Sequence, residues 1–102
     1  MPVKQVDELM LRQIEELLRA DAPEIDALES TLTEGYAQAL ALEAERWRLE
    51  RRLGEVAREG RADLGAELSS IGRQLTVADD ELSRLRGVLA TLHERARSVR
   101  RG

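Results

Sequence analysis

The stretch EAERWRLERRLGEV concentrates the groups in this sequence with the clearest capacity for chemistry. It holds Arg46, Arg48, Arg51 and Arg52 within seven residues, beside the only tryptophan, Trp47. Guanidinium groups bind phosphates and carboxylates through charge-assisted hydrogen bonds, and tryptophan is enriched where proteins bind one another. The stretch therefore predicts either a site for an anion or an acidic partner at Arg46 and Trp47, or one segment of a coiled coil.

The residues available for catalysis or metal binding are few. The chain has one histidine, His93, and no cysteine, and its seven glycines are not spaced as in a phosphate-binding loop. Asp79 and Glu94 are not placed with His93 in a metal-ligand spacing, and a metal site needs several converging ligands. The sequence predicts a protein that is not an enzyme, with no metal site and no cofactor, and with His93 at the surface.

The composition is that of long helices. The chain has 102 residues, of which 35% are charged, and it contains no phenylalanine and a single tyrosine. A net charge of −4 argues against general nucleic-acid binding. There is no apolar run near 18 residues, so we expect no membrane span or signal peptide. The lack of cysteine fits the cytoplasm, and the dominance of arginine over lysine fits a bacterial GC-rich genome.

Two stretches with helix start and stop signals divide one helical domain, 1–102, into three helices. In RADAPEID, Asp21 and Glu24 have the capping-box spacing, with Pro23 at an early helical position. In AREGRADLGAE, Gly60 is a helix stop and Asp63 a helix start. The predicted elements are helix 1 at about 4–20, helix 2 at about 22–59, a turn at about 60–62 and helix 3 at about 63–100.

Helices 2 and 3 carry apolar residues at alternating steps of three and four. In helix 2 the series is Ile25, Leu28, Leu32, Gly35, Ala39, Leu42, Arg46, Leu49, Leu53 and Val56. In helix 3 it is Leu64, Leu68, Ile71, Leu75, Ala78, Leu82, Leu85, Leu89, Leu92, Ala96 and Val99. This repeat is typical of coiled coils, and a short turn makes neighbouring helices antiparallel. The predicted fold is all-α: a long antiparallel coiled-coil hairpin preceded by a short N-terminal helix.

Charge supports the hairpin. Residues 21–45 carry seven acids and no base, and residues 46–61 carry six arginines and three acids. Residues 62–82 carry five acids and one arginine, and residues 83–102 carry six arginines and one acid. An antiparallel hairpin places each acidic block beside a basic one, which favours that orientation.

Folding about the Gly60 region pairs positions whose numbers sum to 120 or 121. Gly35 then faces Leu85, and Arg46 faces about Leu75, in a seam position where the repeat calls for an apolar side chain. One interpretation is that Arg46 forms a polar layer that fixes the register of helix 2 against helix 3. Its guanidinium group would then reach out of the seam to Glu43, Glu50 or Gln74. The alternative is a ligand or partner site formed with Trp47.

The predicted helix 1 has a wide apolar stripe comprising Val6, Leu9, Met10, Ile14, Leu17 and Leu18. It is too short to cover the whole hairpin, so we expect it at the open end, near Tyr36, Leu40 and Val88. The other half of the hairpin would be a bare pair of helices, which buries little surface. A homodimer or a helical partner protein is therefore expected, with Arg46, Trp47, Tyr36 and Leu40 as candidate interaction residues.

The hairpin tip resembles the coiled-coil hairpin of Gre-type transcript cleavage factors. The matching positions in this sequence are Ala57, Arg58, Gly60, Asp63, Leu64 and Glu67. The tip departs from that pattern by an inserted Arg-Ala and by the lack of a Glu-Asn pair. The resemblance implies binding to RNA polymerase through tip acids, for which Glu59, Asp63 and Glu67 are candidates; a solvated capping turn is the alternative.

A run in helix 3, DDELSRLRGVLATLHE, resembles the helix motif of the cyclic-di-GMP-binding anti-sigma hairpins. Asp79, Ser83, Arg86 and Glu94 fall at that spacing, whereas Ala90 stands where the motif has glutamine, and helix 2 has no copy. The resemblance implies binding to a sigma factor and an anionic nucleotide ligand, with Ser83 and Arg86 as ligand candidates. Alternatively, these residues simply flank the seam at the surface.

Together these observations predict a non-enzymatic coiled-coil module for protein interaction or regulation that associates with itself. The alternative is a transcription-associated hairpin that binds RNA polymerase or a sigma factor, with or without a nucleotide ligand.

Overall fold

The structure, a computed structural model, describes residues 7–102. The chain forms α1 (Glu8–Arg19), α2 (Ile25–Glu59) and α3 (Gly65–Arg101), and all regular secondary structure in the described residues is helical. α2 and α3 pack along their length as a hairpin, giving a rod of 62 × 18 × 15 Å. The predicted all-α hairpin with a short N-terminal helix is confirmed. None of the helices in residues 7–102 has an apolar stretch sufficient to cross a bilayer.

α1 begins where Asp7 caps it. The Asp7 carboxylate accepts a hydrogen bond from the backbone N–H of Leu9, at 2.9 Å, so one of the free N–H groups of the first turn is satisfied. Residues 4–6 of the predicted helix, including Val6, lie outside the described residues.

The predicted capping box at the start of α2 is wrong. Glu24 is the N-cap residue and its side chain makes no capping hydrogen bond, while Asp21 lies in the preceding connection. Pro23 is buried just before the helix, and a proline disfavours helical backbone in the residue that precedes it. The chain bends at Asp21 and Ala22, Glu24 has an extended backbone, and α2 starts at Ile25.

The hairpin connection is longer than the sequence indicates. Gly60 ends α2 in the left-handed conformation, with φ of 65°, which glycine adopts without the steric cost other residues meet. Asp63 lies in the turn rather than at the start of a helix, and Leu64 precedes α3 without a side-chain cap. Leu64 is 5% exposed in the same apolar cluster as Val56, so burying it closes the end of the seam.

The longer connection changes the register of the seam. A Cβ atom at Gly35 would lie 2.3 Å from Leu89 Cδ2, so Gly35 faces Leu89 rather than Leu85. The numbers of facing residues therefore sum to 124, as do the last residue of α2 and the first of α3. The predicted register is wrong by about one helical turn. Arg46 is level with Ala78, not with Leu75.

Two apolar clusters fill the seam. The larger one, at the open end, contains Met10, Leu11, Ile14, Leu28, Leu32, Ala39, Leu42, Leu82, Leu85, Leu89, Leu92 and Ala96. The smaller one, towards the tip, contains Leu49, Val56, Leu64, Ile71 and Ala78, with Leu53, Leu68 and Leu75 only partly buried beside it. The tip half therefore has the thinner core, as expected for two helices without a third.

α1 lies on one side of the hairpin only. At its start, the Asp7 N–H donates to Gln38 Oε1 at 3.1 Å, and Glu8 pairs with Arg84 at 3.2 Å. At its end, Arg95 Nη2 donates to the carbonyl oxygens of Ala20 and Asp21, at 2.8 and 3.1 Å.

The expectation that helix 1 covers Tyr36 and Leu40 is wrong, although Val88 does pack against the cluster that contains α1. Successive residues of a helix are rotated by about 100°, so Tyr36 points almost opposite to Gln38, which contacts α1. Tyr36 is 46% exposed and Leu40 is 67% exposed.

We predict that Gly35→Ala lowers the free energy of unfolding by roughly 1–2 kcal/mol. The added methyl group must displace Leu89, and this overpacking outweighs the better helix propensity of alanine. Gly87→Ala is the matched control, because nothing lies within 4 Å of a Cβ there, and it should gain roughly 0.5–1 kcal/mol.

Urea denaturation of single and double variants tests two points: the direction of each change in the free energy of unfolding, and the pairing of Gly35 with Leu89. Truncating Leu89 should relieve the cost of Gly35→Ala in a double-mutant cycle. Coupling of Gly35 to Leu85 instead of Leu89 would contradict the register of the structure.

Candidate functional site

The side of the hairpin that α1 leaves uncovered, here termed the open face, brings together most of the predicted site residues. It consists of Tyr36, Leu40, Glu43 and Trp47 from α2 and of Asp79, Ser83, Arg86 and Ala90 from α3. Each row repeats at steps of three and four, so each forms a stripe along one side of its helix. The open face lies about midway along the rod, beside the seam.

Two neighbouring grooves run along the open face. The apolar groove, of about 390 Å³, is lined by Tyr36, Ala39, Leu40, Glu43, Arg86, Leu89 and Ala90. The polar groove, of about 550 Å³, is lined by Glu43, Arg46, Trp47, Glu50, Asp79, Leu82, Ser83 and Arg86. Glu43 and Arg86 form an ion pair across the hairpin and border both grooves. The face therefore offers an apolar depression next to a charged one.

Arg46 leaves the seam and forms ion pairs at the surface. Its Nε donates to Asp79 Oδ1, and its Nη2 lies 3.1 Å from Glu50 Oε1. The hydrogen bond to Asp79 and the charges of Asp79 and Glu50 raise the pKa of Arg46 above its ordinary value. Ala78, level with Arg46, is fully buried. Arg46 thus lies at the level of a small buried residue, and two carboxylates neutralise its guanidinium group.

Only one of the three predicted partners of Arg46 contacts it. Glu50 pairs with Arg46 as expected, but Glu43 pairs with Arg86, and Gln74 donates to Ser70 at 3.3 Å. Asp79 was not among the predicted partners, because the predicted register placed it about one turn away from Arg46.

Trp47 is the largest side chain on the open face. Its residue is 57% exposed, and the guanidinium carbon of Arg51 lies 4.8 Å from the centroid of its ring. A cation over the ring of tryptophan is attracted to its π electrons and limits the freedom of the side chain. The indole therefore stands at the surface with one ring contact that the sequence did not reveal.

Ser83 and Arg86 lie in the polar groove together with Asp79. The guanidinium of Arg86 is paired with Glu43, so an anionic ligand would have to compete with a carboxylate for it. Glu94, the last position of the motif-like run, pairs with Arg97 at 3.2 Å. The structure thus gathers three of the four matching positions into one groove.

The tip candidates lie at the far end of the rod and converge on one arginine. Arg61 Nη2 lies 2.8 Å from Glu59 and 3.7 Å from Glu67, and its Nε lies 3.9 Å from Asp63. Glu67 also pairs with Arg52 at 2.7 Å. The positive charge of Arg61 thus occupies the centre of these carboxylates. In the described part of the chain, no group of three or more His, Cys, Asp and Glu side chains is placed to bind a metal ion.

Comparison with family models, with curated proteins and with solved structures finds no significant match to this chain.

We predict that Arg46→Leu raises the melting temperature by roughly 5 °C at a fixed protein concentration. Leucine would add apolar contact over Ala78, whereas the ion pairs it removes are exposed, and exposed pairs contribute little.

Arg48→Leu is the matched control. Arg48 pairs with Glu45 at 2.7 Å, and its side chain is 63% exposed outside the seam, so its melting temperature should change little. Circular dichroism measures both. A lower melting temperature for Arg46→Leu would show that its ion pairs stabilise the hairpin more than an apolar layer does.

Proposed function

We propose that this chain is a non-enzymatic helical interaction module that associates with a second copy of itself through the open face. The observation that supports this most directly is a row of three large apolar side chains on the face that α1 leaves bare. Tyr36, Leu40 and Trp47 are 46%, 67% and 57% exposed. Large exposed apolar side chains rimmed by polar groups are typical of a protein-interaction site.

The thin core of the hairpin is evidence that a further layer of helices packs on it. The rod is 18 × 15 Å in cross-section, and in its tip half only two helices share an apolar seam. A second copy packed on the open face would make a four-helix arrangement along the middle of the rod and would bury the exposed row. A contact over half of the 62 Å length and the full width covers roughly 1,100 Å² in the two copies, which approaches the size of stable interfaces.

The open face is also complementary to itself. It carries both a projecting aromatic side chain, Trp47, and an apolar groove, and both signs of charge in Glu43 and Arg86. A two-fold dimer uses the same surface on both copies, so such a surface must contain both halves of each contact.

Charge argues for a protein partner over a nucleic acid. The net charge is −4, and the arginines of the polar groove, Arg46 and Arg86, are each paired with carboxylates. Within the polar groove, these pairs leave no basic stripe of the kind that binds a phosphate backbone. The absence of cysteine supports a reducing compartment, the cytoplasm, as the location.

We predict that sedimentation velocity finds a reversible dimer, and that Leu40→Ala weakens it roughly tenfold by removing exposed apolar contact area. Leu9→Ala is the matched control, because Leu9 is 64% exposed on α1, away from the open face. Its dissociation constant should equal that of the unmodified protein. A chain that stays monomeric at every concentration would refute self-association.

The alternative, a transcription-associated hairpin with an anionic ligand, is favoured by one observation. Asp79, Ser83 and Arg86 line the same groove as Trp47, so a planar ligand with phosphate groups would contact a hydroxyl, a guanidinium and an indole there. A sigma factor would then be the protein partner.

On that alternative, titration with a cyclic dinucleotide changes the fluorescence of Trp47, the only tryptophan, and Arg86→Ala abolishes the change. Arg84→Ala is the control, because Arg84 pairs with Glu8 on the side covered by α1. Unchanged fluorescence at millimolar ligand would exclude this role for the polar groove.

A further inference from the structure

We infer that the two copies pack antiparallel, open face on open face, with Trp47 of each copy seated in the apolar groove of the other. This inference rests on the self-association proposed above and specifies its geometry and its central contact.

The spacing along α2 supports a reciprocal contact. Trp47 lies 11 residues after Tyr36, which is about 16 Å along the helix. A two-fold axis that crosses α2 near residue 42 exchanges these two positions, so each Trp47 meets the partner's Tyr36 across the interface. The apolar groove beside Tyr36 is about 390 Å³ and is bordered by Leu40 and Ala90, so an indole ring finds apolar walls there. The same contact occurs twice by symmetry.

The distribution of charge supports the same axis. In α2 the sign changes between the acidic residues 21–45 and the basic residues 46–61. In α3 it changes between the acidic residues 62–82 and the basic residues 83–102. Because facing numbers sum to 124, both changes occur at nearly the same level of the rod, close to the ion pair of Glu43 and Arg86.

An antiparallel face-to-face dimer lays α2 on α2 and α3 on α3 in opposite directions. Each acidic half then lies over a basic half, so the charges of the two copies attract one another.

The parallel arrangement also places acidic halves over basic halves, but it does not place Trp47 over an apolar surface. It would lay α2 of one copy on α3 of the other, running in opposite directions, and bring Trp47 opposite Thr76 and Asp79. Asp79 is held by Arg46 at this level, so the indole would meet an ion pair rather than an apolar surface. The apolar groove would then receive Tyr36 and Leu40 of the other copy and not the larger indole. Burial of the largest exposed ring therefore favours the antiparallel dimer.

Two spin-label distances test the orientation. The chain has no cysteine, so Ala62→Cys in the exposed turn and Ser98→Cys on an exposed position of α3 each give one label per copy. In the antiparallel dimer, the labels at position 62 lie roughly 55 Å apart and those at position 98 roughly 50 Å apart. In the parallel dimer both distances fall to roughly 20 Å.

Variants of Trp47 test the central contact by sedimentation equilibrium. Trp47→Ala should raise the dissociation constant of the dimer by about 30-fold, as expected for a central aromatic contact, and Trp47→Phe should restore most of the affinity. Val77→Ala is the control, because Val77 is 38% exposed on α3 and is rotated away from Asp79 and the open face. Both Trp47 variants should keep the helical content of the unmodified protein, since the side chain lies outside the core.

The outcomes separate this inference from the proposed function. A dimer with two long label distances and a Trp47-dependent affinity supports both. A dimer with short distances, or one whose affinity does not change in Trp47→Ala, overturns the antiparallel contact but leaves self-association standing. A monomer at all concentrations overturns both.

Discussion

The close contact between α2 and α3 at Gly35 is the constraint on which the rest of the structure depends. Only a residue without a side chain admits Leu89 at this distance, since a Cβ atom there would lie 2.3 Å from it. The contact defines which residues face one another along the whole seam. The register in turn brings Arg46 to Asp79 and Glu43 to Arg86. The surface chemistry of the rod is therefore a consequence of its packing.

The position of α1 makes the two sides of the hairpin unequal. Its apolar stripe, with Ile14 fully buried, covers one side of the open-end cluster, and its two ends are held by hydrogen bonds to the hairpin. The opposite side keeps Tyr36, Leu40 and Trp47 in solvent. A third helix on one side both stabilises the larger cluster and leaves an apolar surface on the other. The proposed dimer would supply the missing layer.

The ion pairs across the hairpin specify orientation more than stability. Glu29 pairs with Arg100, and Arg52 pairs with Glu67, at opposite ends of the rod. Their side chains are substantially exposed, so each pair contributes little to the free energy of unfolding. Their order along the chain, however, disfavours a parallel arrangement of α2 and α3. The same alternation of acidic and basic halves would let one rod attract a second rod packed on its open face.

The heptad repeat and the charge blocks determined the helices, their antiparallel pairing and the list of seam residues, because these follow from periodicity along one chain. The sequence also singled out Trp47 and Arg46. It could not supply the register, because the burial of Leu64 lengthened the connection, and a difference of a few residues shifts every facing pair. Nor could it choose the side for α1, which depends on hydrogen bonds to Gln38 and Arg95 from distant parts of the chain. The tertiary structure alone decided which exposed residues share the open face.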